Sequence, residues 1–279
     1  MKKIAFLFLV LDNPNFPKIW DKYFRGHKDK YTIYIHPKYP LKTTWKKDRI
    51  IKSLKNTGWG YIVEAYIELL KEAYKDPDNY KFVTISESCL PIKSFDNFYD
   101  DCIIDNRSWI KFMRIKNYNQ IERINKQPNI PNNLHFIKHY ARFCLNREHV
   151  KELLLKKNEQ KLDFFYKMHV GDEFFLSILY PIKGVRDFAV TYDDWDYVHE
   201  EKKKIKDDKR KLYEEQEKYH IDRSNKLKEL QDKYNNIAKN PKLITNIYEE
   251  LDKIKNCSSY FYRKFAKDSN PDNIDPWKL

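Results

Sequence analysis

The sequence predicts an α/β protein built on a doubly wound, mostly parallel sheet. Three observations lead there. Strand and helix patterns alternate β-α-β-α-β through roughly the first 100 residues, and parallel strands require such crossovers. Hydrophobic residues are 41% and aromatics 16% of the 279 residues, enough for a sizeable core rather than a disordered chain. Glycine occurs five times, and neither GxGxxG nor GxxxxGK(S/T) is present, which excludes the phosphate-cradling glycine loops.

The elements follow in order. "KIAFLFLV" reads as a first buried strand ending at Val10 and Leu11. Its apolar run, Ile4 to Leu11, follows two lysines, but no small-residue cleavage site comes after it, so it is not read as a signal peptide. "FPKIWDKYFRG" predicts a helix with Ile19, Tyr23 and Trp20 inward, and "YTIYIH" a second strand ending at His36. "GYIVEAYIELLKEAYKD" is an amphipathic helix, with Ile62, Ala65, Tyr66, Leu69, Leu70 and Ala73 at 3,4 spacing. "KFVTIS" is a third strand that ends in the polar run Ser86, Glu87, Ser88, Cys89, where α/β proteins open a ligand crevice. A helix starts at "SFDNFYDD". "SWIKFMRI" and "HFIKHYARFCLN" read as strands, and "REHVKELLLKKNEQ" and "GDEFFLSILYPI" as helices. "DFAVTYDDWDYV" reads as strand or extended chain, and the aromatic "YFYRKF" as a late strand.

Residues 199–239 differ, with 13 Lys/Arg against 10 Asp/Glu. Ile205, Leu212 and Tyr219 lie seven apart; Leu227, Leu230, Tyr234 and Ile237 follow 3-4-3 spacing. "HIDRSN" interrupts them, with Asp222 or Ser224 as N-cap. The expected organisation is therefore one domain from 1–198 and 240–279, with a charged helical hairpin inserted at 199–239. A solvated charged surface is the hairpin's expected role.

Net charge is +13, which calls for an anionic partner without saying which. A nucleic-acid-binding or scaffold protein is one reading, but the basic residues are diffuse and the hairpin is nearly balanced. No apolar run approaches the ~18–20 residues of a membrane span. The cysteines, Cys89, Cys102, Cys144 and Cys257, form no CxxC pair and read as free thiols in a reducing compartment. A cytoplasmic location is expected, with no signal peptide or anchor.

Five segments in order, "KIAFLFLV", "WDKYFRGHKDKYTIYIHPK", "TGWGYIVEAYIELLKEAYKDPDNYKFVTISESCLPI", "GDEFFLSILY" and "YFYRKFAKD", carry a family likeness. The chain resembles the core-2/I-branching β-1,6-N-acetylglucosaminyltransferase family, which includes peptide O-xylosyltransferases, and within it the "SESC" subgroup of plants and large DNA viruses. The resemblance implies a GT-A-like fold. It also implies an inverting transferase that moves N-acetylglucosamine, or alternatively xylose, from a UDP-sugar to a glycan or glycoprotein hydroxyl. It implies no cofactor and no metal. Asp194-Trp195-Asp196 spells the metal-binding DxD, but the resemblance assigns this point to an acceptor-contacting pair, Trp195 and Tyr197.

The remaining assignments also come from the resemblance. Glu173 in "GDEFF" matches the catalytic base, with Asp172 as a cap or an orienting neighbour. Acids near helix starts also arise simply by offsetting the dipole. Lys264 matches the diphosphate-binding lysine, and Arg263 is its neighbour, although adjacent strand residues point to opposite faces. The family's second diphosphate arginine, some twenty residues earlier, is missing; Lys242 or Lys239 is the expected substitute. A degenerate, non-catalytic sugar binder is the alternative which that gap raises. Val10 and His36 are expected at the nucleoside, with a structural histidine the other reading of His36. Ser86, Glu87, Ser88 and His139 are expected around the pocket together with Trp195 and Tyr197, and Trp59 in a wall or in the core. Basic residues in 111–123 are further acceptor candidates.

Overall fold

A computed structural model describes residues 1–113, 124, 127–219, 224–236, 241–269 and 275–278, apart from the side chains of Asp196 and of 215–219. Strand β1 (Lys3–Val10) lies between two parallel neighbours, β2 (Tyr31–Pro37) and β3 (Asn79–Ser86). Because side chains alternate along a strand, Phe6 and Phe8 face one side and Ala5 and Leu7 the other. Helix α1 (Pro17–Phe24), opened by a proline whose missing N–H costs nothing at that position, packs Trp20, Tyr23 and Phe24 on the first side. Helix α2 (Val63–Tyr74) packs Tyr66, Leu69, Leu70 and Ala73 on the second. This two-sided cover makes the sheet doubly wound.

Strand β4 (Leu90–Pro91) leads to α3 (Phe95–Ile104), whose Ser94 cap accepts from Asn97 N at 3.2 Å. Then come β5 (Ser108–Ile110), β6 (Phe112–Met113), β7 (Lys138–His139) and β8 (Cys144–Asn146). Helices α4 (Arg147–Leu153) and α5 (Glu159–Lys167) precede β9 (Val185–Asp187) and β10 (Thr191–Asp193). The chain continues through α6 (Asp196–Tyr219), α7 (Ser224–Asn236), α8 (Leu251–Asn256) and β11 (Phe261–Arg263). The main sheet runs β2-β1-β3-β8-β5-β9, with β8 antiparallel to both its neighbours. A second sheet, β10-β11-β4, lies where β3 ends.

The core divides accordingly. On the α1/α3 side Phe6 meets seven other aromatic rings, with Phe24 nearest at 4.9 Å between centroids. Full burial of each such ring stabilises by about 1.5–3 kcal/mol.

Three local expectations change. "GDEFFLSILYPI" is not an α-helix but two 3-10 turns, Gly171–Glu173 and Phe175–Leu179. Val170 is left-handed there (φ 61°), and a Cβ on Gly171 would lie 2.4 Å from Phe165 O, so the backbone enters too tightly for a regular helix. "HFIKHYARFCLN" breaks into β7 and β8. The extended reading through 198 stops at Asp193, because Asp194 accepts from Tyr197 N at 3.4 Å and so starts a helix two residues on. Helices α6 and α7 pack on each other, with Lys202 and Lys206 over the Tyr234 ring. Residues 114–123, Asp222, Ile237 and Lys239 lie outside the described residues, as does the Tyr219 side chain. No helix among the described residues is long and apolar enough to cross a membrane.

Candidate functional site

In the strand order β2-β1-β3-β8-β5 the chain leaves β1 toward β2 and β3 toward β5, and it is at such a reversal that open α/β sheets form their ligand crevice. Asn15 spans it: its N–H donates to Glu87 O at 2.8 Å and its side-chain amide to Phe265 O at 2.8 Å. Phe265 N donates in turn to Ser88 O at 3.1 Å. The second sheet thereby brings Arg263 and Lys264 to the end of β3.

Register decides the first charge pair. Asp193 and Arg263 are partners across the parallel β10–β11 ladder. Their charged atoms lie 3.2 Å apart, but neither Asp193 Oδ1 nor Arg263 Nε has an aligned hydrogen bond among the described residues. The contact is thus an ion pair and not a bidentate fork. Burial raises the Asp193 carboxyl, against the pull of Arg263, Arg142 and Lys264. Burial, with repulsion from Arg263, lowers the Lys264 ammonium, and Glu87 and Asp193 oppose that shift.

Arg142 joins this cluster from the loop before β8. It is buried, donates to Tyr66 Oη at 2.8 Å, and leaves its Nε without a partner among the described residues. Its charge acts on both Asp172 and Asp193. Asp172 is 8% exposed and its Oδ1 is unpartnered among the described residues. Burial first, and the neighbouring Glu173 second, push its carboxyl up to about 6, while Arg142 and Arg263 pull the other way. Glu173 is half-buried and pairs with Lys138 Nζ at 3.1 Å. Glu173, Asp172, Arg142, Asp193, Arg263 and Lys264 therefore form one electrostatic neighbourhood drawn from chain segments over 120 residues apart.

The other expected residues separate. Ser86 and Ser88 are buried, and the Ser86 hydroxyl meets Cys89 Sγ at 3.2 Å and Ser88 Oγ at 3.5 Å, so both close the turn. Glu87 is the half-exposed member of the run. His36 is fully buried beside Leu9 in the ladder; its Nε2 accepts from Lys55 N at 2.9 Å and burial lowers its pKa. The protonated nitrogen is then Nδ1, unpartnered among the described residues. The Val10 side chain is in the core.

His139 is corrected outright. It is fully buried, with Nδ1 at 2.8 Å from Tyr140 O and Nε2 accepting from Leu176 N at 3.3 Å, so no ring nitrogen is left for a sugar. Lys242 is committed elsewhere too: its ammonium lies 2.6 Å from buried Glu250, whose other oxygen accepts from Tyr262 Oη. Of the DxD pair, the buried Asp194 carboxylate is held by Lys253 at 2.7 Å and caps α6. Among the described residues no three His, Cys, Asp or Glu side chains cluster as metal ligands. Trp195 and Tyr197 straddle the start of α6, and Tyr197 is exposed with Lys242 Nζ 5.8 Å from its ring. Trp59 is not in the core but 67% exposed.

Arg142, Lys138 and Asp193 are the members that linear spacing missed. Arg142 carried one signal, an arginine inside the apolar run "ARFCL", where a buried cation needs a purpose.

A profile of the Core-2/I-Branching enzyme family matches residues 4–228. "Glycosyltransferase BC10" of Oryza sativa subsp. japonica is 30% identical over 118 residues, which is 39% of this chain and 30% of the rice protein. The chain thus spans less than a third of that relative. Among solved structures, the galactosyltransferase LgtC in complex with donor and acceptor sugar analogs covers 69% of this chain and 74% of its own, at 13% identity and TM-score 0.34. An active-site mutant of LgtC covers 69% and 73%, at 13% identity and TM-score 0.35. Those two likenesses are too loose to define the fold or the site.

Proposed function

The chain belongs to the Core-2/I-Branching enzyme family, and on that premise we propose that it is an inverting glycosyltransferase moving a sugar, N-acetylglucosamine before xylose, from a UDP donor to a glycan or glycoprotein hydroxyl without a divalent metal. The observation that carries this reading is the meeting of the Asp172–Glu173 turn with Arg142, Arg263 and Lys264 beside the β1/β3 crevice.

The chemistry follows from the charges. Glu173 is the base: it takes the proton from the acceptor hydroxyl as that oxygen bonds to the sugar's anomeric carbon. The bond from that carbon to the diphosphate oxygen breaks on the opposite face, so configuration inverts and UDP leaves with the electron pair. Lys138, 3.1 Å from Glu173, holds the carboxylate in place. Lys264 and Arg263 meet the charge growing on the diphosphate, the part a metal plays in other transferases. Arg142, which is buried, shares with Arg263 the task of offsetting Asp172 and Asp193, and Lys264 is then the cation with most charge to spare for the leaving group. Asp194 is unavailable to a metal because Lys253 holds it.

The test is UDP release from UDP-N-acetylglucosamine and UDP-xylose with acceptor glycans present. Glu173→Gln is expected to lower turnover by about 100-fold or more, the range of positioned general bases, while UDP affinity stays within about threefold. Retained turnover would exclude Glu173 as the base, and no UDP release from any donor sinks the transferase reading.

A further inference from the structure

We propose that Trp59, Tyr61 and His169 form a carbohydrate-binding platform that seats the acceptor glycan beside Glu173; its place in catalysis rests on the transferase reading above. Trp59 and Tyr61 are 67% and 47% exposed, and their rings flank the His169 imidazole at 5.1 and 5.4 Å between centroids. Two open aromatic faces beside a ring with polar nitrogens suit a sugar. The C–H face of a pyranose lies on the rings, and its hydroxyls meet the polar edges.

The platform is built and not incidental. Gly58 and Tyr61 exchange backbone hydrogen bonds at 3.3 and 3.0 Å, so Trp59 and Gly60 are the tip of a tight turn. Gly60 has φ +79°, and a Cβ there would lie 2.7 Å from His169 Cδ2 and 3.1 Å from Val170 N. Only glycine lets the turn lie this flat on residues 169 and 170. The Gly60 carbonyl accepts from Val170 N at 2.7 Å.

Val170 is the second observation. It is β-branched and sits at φ 61°, a region such residues avoid. A residue stays there only where its surroundings over-determine it, and such strain gathers at working sites. Here the turn supplies the constraint. The next three residues are Gly171, Asp172 and Glu173, and Glu173 N donates to Val170 O at 3.2 Å. Trp59 is thus referenced to Glu173 through one hydrogen bond and a single turn of chain.

Position separates this platform from the donor site. The β1/β3 crevice is closed by loops leading to α1 and α3, around Asn15, Glu87 and Ser88. The Trp59 turn leads into α2, on the other face of the sheet.

The experiment is a printed array of oligosaccharides ending in galactose, N-acetylgalactosamine, mannose or xylose, probed with the full chain. Calorimetry with UDP serves as the second readout. Wild type is expected to bind at least one glycan class, Trp59→Ala to lose about tenfold or more in apparent affinity, and Trp59→Phe to keep most of it. UDP affinity is expected to stay within about twofold in both variants. No glycan signal from wild type, an unchanged signal in Trp59→Ala, or parallel loss of UDP binding overturns the platform. Glycan binding lost in Trp59→Ala by a wild type that binds no UDP upholds the platform and removes the transferase reading instead.

Discussion

Asp172 provides the sharpest quantitative test. Its carboxyl is 8% exposed, and its pKa moves from 3.8 to about 6, chiefly by burial. At about 1.36 kcal/mol per pKa unit, that shift corresponds to about 3 kcal/mol of destabilisation whenever the group is ionised in the folded chain. Between pH 4 and 6 the folded state holds a proton that the unfolded state has released. Stability from this group is therefore full below about pH 4, falls as pH rises through about 6, and is lost above it. Asp172→Asn keeps the shape and removes the charge. Urea unfolding at pH 4.5, 5.5, 6.5 and 7.5 is expected to show the variant gaining on wild type as pH rises, by about 2–3 kcal/mol at the top of the range, with about half of the gain reached near pH 5 and little further change above about 6. A stability difference that is flat within about 0.5 kcal/mol from pH 4.5 to 7.5 refutes the burial argument, and a variant that loses ground at high pH reverses it.

Other outcomes follow from the same charges. Lys264→Ala should weaken UDP binding about tenfold or more, the value of a charge-assisted hydrogen bond, as read by calorimetry. Lys242→Met should leave UDP affinity within about twofold but lower stability by about 2 kcal/mol. The buried Glu250 carboxylate keeps the Tyr262 hydroxyl at 2.8 Å but loses its close cation, and among the described residues Lys253 at 3.9 Å is the cation left to it. EDTA should leave UDP release unchanged within about twofold if cations alone stabilise the leaving group; abolished release would reject the metal-free site.

The α/β class, the doubly wound first half and the core faces of α1 and α2 were legible in the sequence. The reason is that periods of 2 and 3.6 are local properties, written into each segment by which side of it must be buried. Glu173, Arg263 and Lys264 were legible as residue types in recognisable segments. Their surroundings were not. Arg263 meets Asp193 because β10 and β11 share a register, Arg142 enters beside them from a loop between two short strands, and Lys138 reaches Glu173 from β7. Lys242 and His139 carried the right chemistry at acceptable spacing, yet one is spent on Glu250 and the other on backbone atoms. Burial and long-range pairing decide whether a polar side chain is free for a ligand. Linear sequence specifies the side chain, but its desolvation and its partner exist only once segments a hundred residues apart have packed.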